Sequence, residues 1–215
     1  MINDTTATTV QNPQTDAPAS MPADDIADAQ DLADVLATSF RLFARGVADR
    51  RSAFRTVTVA TVGADAAPRI RTMVLRRFDA AARCLMLHTD LRSGKLTDIA
   101  HTPRVAVHVY DARAKLQIRL SAKAQMHAGD AVARAAWLAS APSSRANYAI
   151  SPAPGSEVIE PPQAPVPDEA GYTNFAVIAV TFDTLEWLYL HHSGHRRARF
   201  SWADGNALHS TWLVP

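Results

Sequence analysis

The sequence predicts a mainly β protein, a barrel or sandwich of antiparallel strands with a few peripheral helices. Three observations carry this expectation. Short runs of alternating, β-branched character recur from Phe54 to Val214. Turn signals separate them, and no strand–helix–strand alternation of the kind a parallel sheet requires is present.

The 215 residues suffice for one domain with a sizeable core. Residues 1–24 are Thr, Asp, Ala and Pro with hardly any large apolar side chains, so they are expected to form a disordered acidic tail. The barrel domain is expected over 25–215, beginning with a helix at 25–48. Ile26, Leu32, Val35, Leu36, Phe40, Leu42 and Phe43 recur there at helical spacing, and no Gly intervenes before Gly46.

The strands follow in order. FRTVTVATV at 54–62 alternates and ends in the turn GADAAP, with RIRTMVLRRF at 69–78 as its hairpin partner. RCLMLHT at 83–89 is a third strand, and RSGKLTDIAH at 92–101 a short helix stopped by Pro103. RVAVHVY at 104–110 and LQIRLSAKAQM at 116–126 resume the strands. In the second of these, Leu116, Ile118 and Leu120 face one side and Gln117, Arg119 and Ser121 the other. A helix at 130–140 precedes a long Pro-rich excursion, then FAVIAVTFDTLEWLY returns as strand at 175–189. Short strands at 199–202 and 210–214 complete the chain.

Charge narrows the possible partners. The net charge of +1 hides seven Asp and no base in residues 1–34, and 12 bases against 4 acids within 69–123. Such a zone suits a phosphate ligand or a nucleic acid, unless it is solvated surface. Nucleic acid is disfavoured, because the bases lack interleaved aromatics and gather at one helix turn. No apolar run approaches the ~20 residues of a membrane helix, and MINDTTATTV lacks the features of a secretory signal. A cytoplasmic protein without a membrane partner is expected. The single cysteine, Cys84, excludes an internal disulfide and multi-cysteine zinc sites. His191, His192 and His195 in HHSGH have no accompanying carboxylate cluster, so no metal is expected there. Trp202 and Trp212 read as packing residues, and no Gly-rich phosphate loop is found.

One constellation carries chemistry: Arg71 and Arg76 on a strand, then Thr89, Arg92, Ser93 and Lys95 at a strand-to-helix turn. Hydroxyls, a cation and a helix start together form an anion site, to which Arg71 brings a planar fork. The same residues could instead be a helix cap and solvated surface.

Four segments in order, RTMVLRRFD, LHTDLRSGKLTDIAHTPRVAVHVY, QIRLSAKA and EWLYL…HRRARFSW, resemble the pyridoxamine 5′-phosphate oxidase-like FMN-binding split-barrel family across about residues 50–215. The resemblance implies a Greek-key-like antiparallel split barrel, a homodimer, and FMN bound between the subunits. It also implies a flavin-dependent oxidoreductase acting on a small molecule. Arg71 and Lys95 match its phosphate ligands, and Thr89 and Ser93 its hydroxyl positions. Thr72, Met73 and Val74 match the strand beside the flavin, and His88 a position that is usually aromatic. Gln117, Trp187 and Arg199 match residues completing the cofactor site.

Pyridoxamine phosphate oxidases proper carry Ser-Arg-Lys where Ser93-Gly94-Lys95 stands here, and Arg92 could compensate. Trp137, Ala141 and Arg145 stand at the substrate-phosphate positions, and His195 and Arg197 exchange the types of an Arg-x-His motif. Arg76 replaces a substrate-contacting lysine. Arg76, Arg145, His195 and Arg197 are therefore the candidate substrate contacts, and no catalytic acid or base stands out. The alternatives are a genuine pyridoxamine or pyridoxine 5′-phosphate oxidase and a non-catalytic flavin-binding protein.

Overall fold

The computed structural model describes residues 31–163, 169–203 and 207–215. The acidic tail expected over 1–24 and the first residues of the expected helix lie outside them. Among the described residues no helix is long and apolar enough to cross a membrane.

Eight strands are described: β1 (Thr56–Val62), β2 (Pro68–Asp79), β3 (Cys84–Asp90), β4 (Arg104–Asp111), β5 (Leu116–His127), β6 (Phe175–Tyr189), β7 (Arg196–Ala203) and β8 (Ala207–Leu213). They form one antiparallel sheet in the order β3-β2-β1-β4-β5-β6-β7-β8. A further pairing of β3 with β6 closes the first six into a barrel and leaves β7 and β8 as an extension. The split arises in β6. One of its edges pairs with β5 along its length; the other pairs with β3 up to Thr181 and with β7 from Thr184 onward. Asp183 is bulged out of the β5–β6 ladder at that change of partner. A bulge bends and twists its strand, so the same backbone can serve both the barrel and the extension.

The interior follows the expected alternation. Val57 and Val59, Val105 and Val107, and Ile118 and Leu120 point inward and are nearly inaccessible to solvent. Strands β7 and β8 begin three residues earlier than their sequence patterns indicate. Arg196 and Arg197 mask the inward alternation that only Ala198 and Phe200 reveal.

Helix α1 (Leu32–Ala48) starts at Asp31, whose carboxylate accepts the Asp34 N–H at 2.7 Å. It buries Val35, Thr38, Ser39, Leu42, Phe43 and Gly46, one face at helical spacing. Phe43 meets Phe54 edge-on at 5.1 Å, at the end of the barrel where β1 begins. Helix α2 (Gly94–His101) sits at the other end, where β1 stops, and inserts Leu96 and Ile99 into the core. Helix α3 (Ala131–Ala139), capped by Asp130, lays Trp137 on the outside of the barrel against Phe175. A four-residue helix, α4 (Pro142–Arg145), opens the Pro-rich excursion.

Gly46 is where α1 comes closest to the turn at Ala53–Arg55. A Cβ there would stand 2.4 Å from the Phe54 carbonyl oxygen. Gly46→Ala is therefore expected to destabilise by about 1–3 kcal/mol through overpacking, despite alanine's helix propensity, better by about 1 kcal/mol. The urea midpoint measures it, and an unchanged or raised midpoint would show that the helix can simply withdraw.

Candidate functional site

The β1–β2 register pairs Val59 with Arg71 and Thr61 with Arg69. Since Val57, Val59 and Thr61 face inward, both arginines sit on the inner side at the open end of the barrel. There they meet α2. Arg71 Nη1 donates to Thr61 Oγ1 at 2.6 Å, and Thr61 Oγ1 donates to Asp98 Oδ2 at 2.7 Å. Arg69 Nη1 reaches Asp98 Oδ1 at 2.7 Å, and Arg71 Nη2 lies 3.5 Å from Asp98 Oδ2. The bond from Thr61 holds the Asp98 carboxyl below the usual carboxylate range; burial opposes this, and the two arginines reinforce it.

Beside them lie the turn residues. Lys95 Nζ donates to Thr89 Oγ1 at 3.0 Å and to Ser93 Oγ at 2.9 Å, and the two hydroxyls are 3.1 Å apart. Thr89 and Ser93 are only 5% and 6% exposed. Ser93 stands at the N-cap, yet its hydroxyl donates to the Asp90 carbonyl instead of capping the helix. The reading of these residues as a cap with solvated neighbours therefore does not describe the site. Burial lowers the pKa of the Lys95 ammonium, and the charge of Arg71 lowers it further. The structure thus brings together Arg71, Thr89, Ser93 and Lys95. Arg92 is committed elsewhere: it pairs with Asp90 at 2.7 Å and donates to the Ile150 carbonyl at 2.9 Å. A cavity of about 310 Å³ lies between that pair and the Pro-rich excursion.

On β2, Met73 points inward and is 7% exposed, while Thr72 and Val74 face outward. A register shift between Leu75 and Arg77 makes Arg76 a bulge residue. Its Nε is buried without a hydrogen-bond partner, the one such side-chain atom among the described residues. Arg55, His88 and Tyr148 feel its charge. Burial, aided by Arg76, lowers the His88 pKa from 6.5 to about 4, so the ring is neutral at pH 7. Burial raises the Tyr148 hydroxyl, which Arg76 partly offsets. Phe175 packs edge-on against both rings, at 5.0 and 4.9 Å.

A separate network covers the outer face of β5, β6 and β7. Glu186 accepts from Arg119, from Arg197 at 2.7 Å and from Arg199 at 2.8 Å. Gln117 pairs with His108 at 3.2 Å, and His195 is exposed beyond the start of β7. Trp187 is not part of this face. It pairs with Ala198 while Glu186 pairs with Arg199, so Trp187 and Arg199 point to opposite sides of the ribbon. Trp187 is 1% exposed and packs in the core beside Tyr189 and Trp212.

Arg145 is likewise occupied. It donates to Glu169 and to the carbonyls of Ser140 and Leu138, and it lies over the Trp137 ring. Trp137 Nε1 donates to the same carboxylate at 2.9 Å.

Residues 38–128 match the family model for the pyridoxamine 5′-phosphate oxidase FMN-binding domain. Over that segment the chain resembles the pyridoxamine 5′-phosphate oxidase-like family, and the barrel has the split-barrel FMN-binding fold. Its fold is similar to that of a pyridoxamine 5′-phosphate oxidase-related, FMN-binding protein from Nostoc punctiforme, with a TM-score of 0.68 and 22% identity over 83% of this chain and 96% of that one. It is also similar to PhzG from Burkholderia lata, solved with tetrahydrophenazine-1-carboxylic acid, with a TM-score of 0.63 and 19% identity over 96% and 98% of the two chains. A general stress protein 26-related protein from Clostridium acetobutylicum gives a TM-score of 0.52 at 13% identity, over 75% and 92%. No curated protein matches the chain.

Against this split-barrel frame, sequence reasoning missed Thr61, Arg69, Asp98, Tyr148 and Glu186. Asp98 had a signal, since it follows Lys95 by three residues on one helix and shares its side. Glu186 had none, because only strand pairing reveals three arginines around it.

The Glu186 site yields a pH dependence. Burial would raise its pKa, but bonds from Arg197, Arg119 and Arg199 outweigh that and take it from 4.5 to about 2. A depressed folded-state pKa gives stability that is complete above 4.5 and lost as pH falls toward 2. Urea titrations of wild type and Glu186→Gln are expected to differ most above pH 4.5 and to converge toward pH 2. A gap independent of pH would place the stabilisation outside this ionisation.

Proposed function

We propose that the protein binds FMN and acts as a flavin-dependent oxidoreductase on a small molecule. The observation that carries this is the convergence of Arg71, Lys95, Thr89 and Ser93 at one end of the barrel. Two cations, one of them with a lowered pKa, and two buried hydroxyls fit a phosphate monoester, which carries about −1.5 to −2 charge at neutral pH. Arg71 and Lys95 would hold the phosphate by charge-assisted bonds, and the Thr89 and Ser93 hydroxyls, already bonded to Lys95, would turn toward it. Bound there, FMN supplies the hydride and electron chemistry.

The chain's own residues prepare the substrate side. Arg76, with a buried Nε that no protein group satisfies, would take the negative end of a substrate. His88 stays neutral beside it, adding hydrogen-bonding capacity without a second positive charge. Arg145 is not available for a substrate phosphate, because Glu169 and two carbonyls already hold its donors. Ala141 offers no charge in its place. Both facts weigh against pyridoxamine 5′-phosphate as the substrate.

Arg71→Ala and Lys95→Ala are each expected to weaken FMN by roughly 10- to 150-fold, the equivalent of one charge-assisted bond of about 1.5–3 kcal/mol. Riboflavin, which lacks the phosphate, should be little affected. Quenching of flavin fluorescence on titration reads both, and equal losses for the two ligands would overturn the phosphate assignment.

The reading includes a homodimer. Gln117 and Arg199 lie on the outer sheet face in hydrogen-bond networks of their own, away from Arg71 and Lys95. The same face leaves Ile70 73% and Tyr110 46% exposed. A second copy covering it would bury that surface and bring those polar groups to the cofactor. Light scattering is expected to give twice the 23.3 kDa chain mass. A monomer that still binds FMN would overturn the shared site.

A further inference from the structure

We propose that Asp98 is a positioning residue for the phosphate site, aiming Arg71 through the hydroxyl of Thr61. The proposal rests on the reading of this end of the barrel as the FMN phosphate pocket.

The geometry is a directed chain. Thr61 has one hydroxyl proton, and it goes to Asp98 Oδ2 at 2.7 Å. The lone pairs left on Thr61 then face Arg71, whose Nη1 donates at 2.6 Å. Asp98 cannot easily rotate out of this role, because Arg69 Nη1 holds its other oxygen at 2.7 Å. Gly63 makes room for that arginine, since a Cβ there would fall 1.7 Å from Arg69 Nη1. Thr61 is 1% exposed and Asp98 4%, so water does not compete strongly for either group. The backbone carbonyls of Arg69 and Val59, at 3.2 and 3.4 Å, complete the seat of Nη1. With Nη1 fixed, the remaining guanidinium edge is set in direction, and the entropy cost of ordering a long side chain is met before the ligand arrives.

Asp98 also lies one helical turn beyond Lys95 on α2. One helix therefore presents a cation to the ligand and a carboxylate to the arginine opposite. Arg69, Arg71 and Lys95 against Asp98 and Asp65, which pairs with Arg69 at 2.9 Å, leave one net positive charge, so the pocket stays cationic toward a phosphate.

A carboxylate that merely neutralised the pocket would weaken anion binding, so its removal would tighten FMN. A positioning carboxylate predicts the reverse. Asp98→Asn and Thr61→Val are each expected to raise the FMN dissociation constant about tenfold, the scale of one hydrogen bond to a charged group, and to change riboflavin less than twofold. Thr61→Ser, which keeps the hydroxyl, should restore FMN binding to within twofold of wild type. Thr61→Val is close in shape to threonine and decides the matter if Asp98→Asn does not fold.

An Asp98→Asn protein that binds FMN as tightly as wild type or more tightly overturns the proposal. So does Thr61→Val with unchanged FMN affinity, or a loss shared equally by FMN and riboflavin. If wild type itself does not prefer FMN over riboflavin, the phosphate pocket falls and the positioning role falls with it.

Discussion

The pairing of β3 with β6 is the constraint on which the rest depends. Without it the sheet would be an open, twisted ribbon with two long edges. With it, six strands enclose a core of Val, Leu, Ile and Phe, and the end of β3 is fixed against the start of β6 through Asp90 and Phe175. The chain leaves β3 at that point and enters α2 within a few residues. Thr89, Ser93 and Lys95 thus inherit their positions from barrel closure. Leu91 N–H donates to the Asn174 carbonyl at 2.7 Å, which ties the turn to the residue preceding β6. A site assembled this way needs no mobile loop to bring its hydroxyls together.

Closure also explains why charge can collect there. Arg69 and Arg71 occupy inward positions of β2, where the pattern of the strand would otherwise demand apolar residues. They are tolerated because the barrel end is partly open and Asp98 sits in reach of both. Breaking such a set by removing one partner leaves a buried charge uncompensated, which is far costlier than never building it. The cluster is therefore local in its chemistry but held by the whole fold: β1 supplies Thr61, β2 the arginines, α2 the acid and the lysine.

Much of the fold was legible because alternation is strong where the core is deep. β6 was read to the residue, since fifteen positions carry its pattern and Pro-rich sequence bounds its start. The helix ends were less visible. Ser93 was read within a helix it only precedes, because its hydroxyl serves the turn instead of the cap. The candidate phosphate residues were legible because they cluster at one turn and one neighbouring strand. Pairing across strands was not. Trp187 and Arg199 look like companions in sequence, yet twelve positions separate them and the register turns them to opposite faces. Arg76 shows the same limit: nothing in RTMVLRRFD announces the bulge that leaves its Nε without a partner.

Two arginine-rich networks result, and they differ in kind. At the barrel end, one acid is shared by two arginines and a threonine, and Lys95 nearby donates to two hydroxyls; positive charge is in excess and partly buried. On the outer face of β5 to β7, one acid is surrounded by three arginines, but two of these are about half exposed and lie where water and salt can screen them. An anion gains most where it meets cations whose hydration is already lost, because the desolvation cost was met in folding and only the attraction remains. By that criterion the inner cluster suits an anion better than the outer one does. The outer arginines come to resemble it only when another surface covers them, which is the same condition that would bring Gln117 and Arg199 into a shared site.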